Sequence, residues 1–251
     1  MSELKTSDTK VSRGSNKSRG LMAFIIILAV LIIDQAMKIW VKTNFYLGES
    51  YEIFSWFHLA FIQNNGMAFG WEIGSKLLLT LLRIVTVGFL IYYLYRVRNK
   101  HEAKTGYLVC LSLIIAGAAG NIIDCAFYGL IFDNPMPPHV AQLFPEGGGY
   151  GTFLHGKVVD MLYFPLMSWT WPSWMPIVGG EFFIFFSPVF NFADAAISVA
   201  IIWMLIFYSN QISEVPFLKE LPLYNKYFAK SADTTDSNAK EIDKKRITKW
   251  K

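Results

Sequence analysis

Asn191 and Asp194 lie at the start of the last long apolar segment of the chain, Val189–Tyr208. A carboxylate in a membrane-spanning helix is costly, so it is interpreted first as part of a functional site. The two residues are three positions apart and therefore share one face of the predicted helix. A second carboxylate facing them would permit acid–base chemistry, whereas a lone cation would indicate a structural ion pair.

Polar side chains also interrupt the first and third apolar segments. Asp34 and Lys38 are four residues apart, and two alternatives stay open for them: an ion pair within the helix, or direct contact with a substrate. Asn121 and Asp124 follow Gly117 at helical spacing and share a helix face. The small residues beside them favour close helix packing, but packing does not account for an amide and a carboxylate in lipid.

The elements that must position these groups are predicted to be membrane helices. The chain has 251 residues, of which 53% are apolar and 16% aromatic, which is too apolar for a soluble domain of this size. Four segments approach or reach the roughly 18 to 20 residues that cross a bilayer. They are Leu21–Val41, Leu77–Tyr95, Gly106–Phe127 and Val189–Tyr208. Because no small-x-small cleavage site follows the first segment, we expect a retained helix and not a signal peptide.

The cations are distributed unevenly between the segments. Five Lys and Arg residues precede Leu21, four lie between the second and third segments, and nine follow Tyr208. Residues 42–76 contain two, and residues 128–186 contain only Lys157. The positive-inside rule therefore predicts cytoplasmic termini and two outer loops. Topology and attraction to anionic lipid account for the basic ends, so we expect membrane lipids, and no nucleic acid, as partners.

The outer loops, 42–76 and 128–187, differ in composition. The first contains aromatic and β-branched residues that predict short strands at the membrane interface, followed by a turn at Asn65-Gly66. The second has Pro- and Gly-rich stretches that resist regular structure. Its three tryptophans are expected to enter the outer interface without crossing the membrane. They are Trp169, Trp171 and Trp174.

The predicted architecture is an all-α membrane protein. It is a four-transmembrane-helix bundle with a small outer β-containing layer and an interfacial loop or helix. Residues 21–209 form the membrane domain. Residues 1–20 are predicted to be a disordered cytoplasmic N-terminus, and residues 210–251 a cytoplasmic tail.

Polar residues from five separate stretches collect on the outer side of this topology, although the topology was derived without them. They are Asp34, Lys38, Asn64, Asn121, Asp124, Asp160, Asn191 and Asp194. None of the four histidines belongs to a His-Glu-x-x-His pattern, and two cysteines cannot form a four-ligand zinc site. We therefore expect no metal and no cofactor.

Five motifs make the sequence similar to the bacterial lipoprotein signal peptidases, also called signal peptidase II. They are Asp34-Gln35-x-x-Lys38, Asn64-x-Gly66-x-Ala68-Phe69, Gly117-x-x-Gly120-Asn121-x-x-Asp124, Val158-Val159-Asp160 and Phe190-Asn191-x-Ala193-Asp194-x-x-Ile197. Any one of them is weak, but five in the family's order across four segments are specific. The match covers roughly Leu21 to Tyr208, excluding much of the loop after Tyr128.

The resemblance implies an aspartyl peptidase whose catalytic pair is Asp160 and Asp194. The remaining matched residues would support the site or contact substrate: Asp34, Lys38, Asn64, Gly66, Asn121, Asp124, Asn191 and Ala193. The implied substrates are prolipoproteins with a diacylglyceryl-modified cysteine, cut just before that cysteine. The implied location is the outer face of the cytoplasmic (inner) membrane, and we expect a monomer.

One departure from the family pattern affects the site. Members usually carry Arg after the aspartate of the Gly-Asn motif, where this chain has Cys125. Arg83 and Lys157 are then candidates for neutralising Asp124.

Two neighbouring carboxylates cannot both ionise cheaply, so they share a proton and can activate water without a metal. The alternative is a small proton- or ion-coupled transporter, since intramembrane acids also mark proton relays. The acids gather on one side of the membrane and no internal repeat is evident, which disfavours that alternative.

Overall fold

The computed structural model describes residues 2–64, 76–100 and 102–213, with side chains from residue 17 onward. The predicted turn at Asn65-Gly66, and with it Gly66, lies outside the described residues. The chain divides into two compact units, Met1–Trp203 and Met204–Lys251. Within the second unit the description ends at residue 213, with the short helix α6, Ser209–Ser213.

Three long apolar helical stretches make this a multi-pass membrane protein. They are Lys17–Asn44 within α1 (Ser2–Asn44), Lys76–Val97 (α2) and Thr105–Ile131. The third comprises α3 (Thr105–Ile123), a π-helical turn (Asp124–Tyr128) and α4 (Gly129–Ile131). Helix α5, Phe192–Phe207, is also apolar but has 16 residues. At 1.5 Å per residue it is about 24 Å long, shorter than the roughly 30 Å hydrocarbon core.

Two helix boundaries depart from the sequence prediction. The predicted last segment began at Val189, whereas Val189–Phe190 form a strand and α5 begins at Phe192. Apolar content alone cannot separate a short buried strand from the helix that follows it. Helix α1 begins at Ser2, although disorder was predicted for residues 1–20. No proline interrupts these residues, so the helix of the apolar stretch extends through them.

A four-stranded antiparallel sheet forms the predicted β-containing layer. Its order is β1-β2-β3-β6, with β1 at Ser50–Phe54, β2 at Phe57–Asn64, β3 at Val158–Tyr163 and β6 at Val189–Phe190. Strand β3 is the most buried, because its pattern Val-Val-Asp-Met is covered on both faces. The strands predicted in the first outer loop are confirmed, and the all-α class is too narrow for this fold.

The second outer segment contains a separate two-stranded hairpin. Strand β4 (Met167–Thr170) pairs antiparallel with β5 (Phe182–Phe185). The tryptophan-rich stretch is therefore a β-hairpin and not an interfacial helix or an irregular loop. The Pro- and Gly-rich stretches before it contain no regular helix or strand from Asn134 to Lys157 beyond isolated bridges.

Glycines on α3 bring α1 and α5 close to it. A Cβ on Gly117 would meet the carbonyl oxygen of Ala193 and lie 2.7 Å from Cγ1 of Ile197. A Cβ on Gly120 would lie 2.6 Å from Oδ2 of Asp34. Both positions therefore require glycine for packing, which confirms the interpretation of the small-residue stretch.

Candidate active site

Asp160 lies in the middle of β3 and is 3% exposed. Its partner across the sheet is Ile62 of β2. The Asn191 side-chain amide donates to Oδ1 of Asp160 at 2.8 Å, and the Asn64 side chain also hydrogen-bonds it. Burial, followed by the nearby carboxylate of Asp194, raises the pKa of Asp160 to about 7, against the opposing effect of the amides. This carboxyl group therefore keeps its proton to a pH well above the range in which an ordinary aspartate ionises.

Asp194 is positioned by the first turn of α5. Asn191 is the N-cap residue, and its Oδ1 accepts the Asp194 N–H at 2.9 Å. Oδ2 of Asp194 accepts the Asn191 N–H in return, at 3.4 Å, which completes a reciprocal capping arrangement. Asp194 is partly exposed, unlike Asp160. The Asn-x-x-Asp spacing thus caps the apolar helix α5 and fixes Asp194 in its first turn.

Two asparagines connect the aspartates to each other. Asn121 of α3 donates from Nδ2 to Oδ1 of Asp194 at 2.8 Å. Its own Oδ1 accepts from Nδ2 of Asn191 at 3.2 Å, and the same Asn191 amide donates to Asp160. A continuous hydrogen-bonded chain therefore runs from Asp160 through Asn191 and Asn121 to Asp194. The side-chain N–H groups of Asn121 and Asn191 hold one oxygen each of Asp194 and Asp160, which fixes the orientation of both carboxyl groups.

Lys38 binds this series of hydrogen-bonded side chains at Asn121. Its ammonium lies 2.9 Å from Oδ2 of Asp34 and 2.7 Å from Oδ2 of Asp124, and it donates to Oδ1 of Asn121 at 2.9 Å. Lys38, Asp34 and Asp124 are all completely buried. A buried charge is tolerated when it is paired and hydrogen-bonded, as it is here. The contacts favour the ion-pair alternative for Asp34 and Lys38.

Asp34 also joins α1 to the start of α5. Its Oδ1 accepts the N–H of Ala193 at 3.0 Å. This N–H belongs to the first turn of α5, where backbone donors have no partner within the helix and a carboxylate is favoured. Ala193 has no room for a larger side chain, since it is fully buried. Its contribution to the site is therefore its backbone and its small size.

Gln35 and Tyr128 belong to the same network but were not among the predicted site residues. Gln35 donates from Nε2 to Oδ1 of Asp124 at 2.9 Å and accepts the Tyr128 hydroxyl at 3.0 Å. Gln35 could have been selected from its place beside Asp34 in the first motif. Tyr128 had no such signal, because it reaches the site through the π-helical turn that follows α3. Such turns often occur at functional sites.

The neutralisation of Asp124 differs from the sequence expectation. Lys38 provides a cation, with its ammonium 2.7 Å from Oδ2 of Asp124. Arg83 instead lies 3.9 Å from Sγ of Cys125, and the Lys157 ammonium faces the ring of Tyr150. Helical spacing places Lys38 near Asp34 but does not reveal a contact between α1 and α3, which explains the error.

The structure brings together all the predicted site residues that it describes. Two groups can be distinguished: Asp34, Lys38 and Asp124 form a buried ionic cluster, while Asp160 and Asp194 are linked to each other through Asn191 and Asn121. The linked pair has one buried carboxyl group with a raised pKa, Asp160, and one partly exposed group, Asp194. An acid and a base at one site can activate water and protonate a carbonyl oxygen.

Comparison with known proteins places this site in a family. The family model described as Signal peptidase (SPase) II matches residues 26–210. A lipoprotein signal peptidase from Porphyromonas gingivalis is 52% identical over 199 residues, covering 79% of this chain and 88% of the relative. Another, from Amoebophilus asiaticus, is 38% identical over 178 residues, covering 68% and 71% of the two chains.

A solved structure supports the fold. A bacterial membrane enzyme determined by the in meso method at 2.3 Å resolution superposes with a TM-score of 0.50 at 22% sequence identity. The alignment covers 77% of this chain and 91% of that structure. Together with the matched family model and the closely similar sequences, the site described above leads to one conclusion: the chain belongs to the signal peptidase II family.

Proposed function

We propose that the chain is an aspartyl endopeptidase that removes signal peptides from lipid-modified prolipoproteins, with Asp160 and Asp194 as its catalytic pair. Membership of the family makes it a peptidase, and the relatives named lipoprotein signal peptidase support this class of substrate. The observation that carries the assignment of the pair is the Asn191–Asn121 bridge, which holds two carboxyl groups of different burial at one site.

In the proposed mechanism Asp194 is the general base and Asp160 the general acid. Asp194 accepts a proton from water as the water oxygen bonds to the scissile carbonyl carbon. Asp160 donates its proton to the carbonyl oxygen, which avoids a bare oxyanion. The tetrahedral intermediate then collapses: the C–N bond breaks, the leaving nitrogen takes the proton from Asp194, and the new carboxyl group returns one to Asp160.

The buried ionic cluster has a positioning role in this proposal. Lys38 orients Asn121, and Asn121 orients Asp194. Asp34 holds the first turn of α5 through the Ala193 N–H. Gly66 is assigned to substrate contact by its motif alone. These residues do not exchange protons with the substrate.

The proposed setting is the outer face of the cytoplasmic membrane, with α5 as a fourth crossing and both termini in the cytoplasm. The apolar composition of α5 and the cation distribution support this topology. The lipid on the substrate cysteine would hold the scissile bond at the level of the sheet. We expect a monomer to be active, because all the described site residues come from one chain.

Cleavage of a defined precursor tests the proposal. Purified protein in nanodiscs is incubated with a prolipoprotein carrying diacylglyceryl-cysteine, or with the same precursor lacking the lipid. We expect a cut immediately before the modified cysteine, no cut in the unmodified precursor, and no effect of a chelator. A folded protein that leaves the lipidated precursor intact would refute the proposal. The transporter alternative predicts that the folded protein leaves the lipidated precursor uncut. The comparisons with known proteins give this alternative no support.

A further inference from the structure

The tryptophan-rich insertion between β3 and β6, here called the Trp hairpin (residues 164–188), has a composition unlike the other outer segments. Glu181 is its only charged residue, and it contains three tryptophans and five phenylalanines. The proposed chemistry uses none of it. A segment of this composition has no evident reason to be exposed to water.

The pairing of β4 with β5 gives the Trp hairpin two different faces. Met167 lies opposite Phe185 and Trp169 opposite Phe183, and these four side chains form one face, here called the apolar face. Ser168 and Thr170 project from the opposite face, with Ile184 and Phe182 as their partners. On the apolar face Met167 is 59% exposed and Phe185 46%. No described part of the chain covers this face fully.

The tip of the Trp hairpin extends the apolar surface. Trp174 is 78% exposed and Ile177 is 99% exposed. Ile177 also has φ of 73°, in the left-handed region that β-branched residues rarely adopt. Packing among the described residues does not explain a strained backbone that presents an uncovered isoleucine. Such strain is a reason to look for a contact outside the chain.

The base of the Trp hairpin is fixed where α5 begins. Tyr163 pairs with Val189 and Leu162 with Phe190, and α5 starts two residues later at Phe192. Helix α5 has exposed apolar side chains along its length, as expected for a helix against lipid. The ring of Phe164 stacks on Phe57 and Phe190 at the base. The Trp hairpin is therefore attached directly before the apolar helix α5, which the proposed topology places in the membrane.

We propose that the apolar face and tip of the Trp hairpin dock into the interfacial region of the lipid bilayer. Trp residues favour this region, and a two-stranded hairpin is marginally stable in water, so lipid contact would stabilise it. The Trp hairpin contains no Lys or Arg, so the docking depends on apolar burial and not on anionic headgroups. Docking of the Trp hairpin should therefore not depend on the content of anionic lipid. Binding of a basic segment to the membrane, in contrast, should strengthen as the content of anionic lipid rises.

A polarity-sensitive fluorophore on the tip tests the proposal without measuring peptidase activity. Ser173→Cys, an exposed polar position beside Trp174, carries the fluorophore in nanodiscs, so all apolar side chains are retained. Glu146→Cys, exposed in another part of the same outer segment, is the matched control. The natural Cys110 and Cys125 are buried. Labelling the protein without the introduced cysteine serves as the control for any reaction at these two residues. We expect blue-shifted emission and quenching by nitroxide-labelled lipid at position 173 and neither effect at position 146, with equal results in zwitterionic and anionic lipid.

A second variant shows whether the apolar face is responsible. Met167→Ser with Phe185→Ser, a directly opposed pair, should return the probe emission toward its value in water. Thr170→Asn on the opposite face should leave it unchanged. Water-like emission at position 173 in the otherwise unsubstituted protein would overturn the proposal. A blue shift without nitroxide quenching would also overturn it, because the tip would then be covered by protein, such as a second copy.

Discussion

Asp160 shows how position in the fold raises the pKa of an aspartate. It lies on a strand covered on both faces, with amides and a second carboxylate around it and no direct cation partner among the described residues. Lys38 neutralises Asp34 and Asp124, and it also donates a hydrogen bond to Asn121. The cation thus lies on the ionic cluster and not directly on Asp160. Without a direct cation partner, burial and the nearby Asp194 raise the pKa of Asp160 to about 7.

The first prediction concerns the pH dependence of turnover. Because the pKa of Asp160 is raised to about 7, cleavage should decline as the pH rises through about 7, when the general acid loses its proton. The kcat/KM for precursor cleavage, measured from pH 5 to 9 at substrate concentrations below KM, checks this, because kcat/KM reports the pKa values of the free enzyme. A rate that stays constant up to pH 9 would show that Asp160 is not the proton donor.

The second prediction is that Asp160 destabilises the folded protein at high pH. The folded-state pKa lies above the usual 3.8, so the folded state binds the proton more tightly than the unfolded state. The penalty is absent below about pH 4, grows toward pH 7 and reaches about 4 kcal/mol above it. Asp160→Asn should therefore raise the thermal midpoint at pH 8 and change it much less at pH 5. An equal shift of the thermal midpoint at both pH values would show that the raised pKa of Asp160 is not the cause of the change in stability.

The third prediction concerns the buried cluster. Lys38→Met leaves Asp34 and Asp124 buried without their shared cation, which should destabilise the protein by about 3 to 5 kcal/mol. The thermal midpoint in detergent measures this loss. Lys100→Met, at an exposed lysine, is the control and should have little effect. Equal midpoints for the two variants would mean that Lys38 does not hold the cluster together.

At the level of elements, α5 depends on how closely α3 approaches it. Asn191 caps α5, Asp34 binds its first turn, and Gly117 allows α3 to contact its backbone. The asparagine and aspartate motifs indicated which residues meet. They did not reveal that Asn191 positions Asp194 by capping α5. The predicted segment began at Val189, which placed Asn191 inside the helix and not at its N-cap.

The fourth prediction follows from this contact. Gly117→Ala would place a Cβ against Ala193 and 2.7 Å from Cγ1 of Ile197, so α5 must shift. We expect a lower thermal midpoint and a fall in cleavage rate, since Asp194 moves with α5. A Cβ on Gly88 of α2 meets nothing within 4 Å, so Gly88→Ala should leave the cleavage rate unchanged and should not lower the midpoint, because alanine has the higher helix propensity. Wild-type activity in Gly117→Ala would show that the close approach is not required.

At the level of the whole molecule, a contact supports placing two basic segments on one side of the membrane. The guanidinium of Arg19, at the start of the apolar part of α1, donates to the carbonyl oxygen of Lys100 between α2 and α3. The sheet and the candidate site lie near the other end of α1, where Asp34 and Lys38 are. Both features agree with the topology expected from the cation count.

The fifth prediction tests that topology. A membrane-impermeant maleimide should label Ser18→Cys only from the cytoplasmic side of vesicles and Glu146→Cys only from the opposite side, because the positive-inside rule places Ser18 in the cytoplasm. Both positions are exposed in the fold. Labelling of both from the same side would contradict the proposed orientation.

Sequence reasoning succeeded where a residue type carries a strong physical cost. The cost of carboxylates and amides in apolar segments predicted that Asp34, Asn121, Asp124 and Asp194 lie together, and the structure places them in one network of hydrogen bonds and ion pairs. It failed for relations that only tertiary contacts create, such as the pairing of Lys38 with Asp124 and the hydroxyl of Tyr128 on Gln35. The β4–β5 pairing was also missed, since prolines and glycines around it indicate irregular structure.

The most direct test of the catalytic pair measures cleavage of the lipid-modified precursor by Asp160→Asn, by Asp194→Asn and by the double variant. Asp133→Asn, which alters a carboxylate hydrogen-bonded to His139 outside the site, is the control. Each variant is first checked for folding in detergent. We expect both single variants to lose at least about a thousandfold in rate and the double variant to lose no more, because the two groups act as one unit. Substantial cleavage by either folded single variant would contradict the assignment of Asp160 and Asp194 as the catalytic pair.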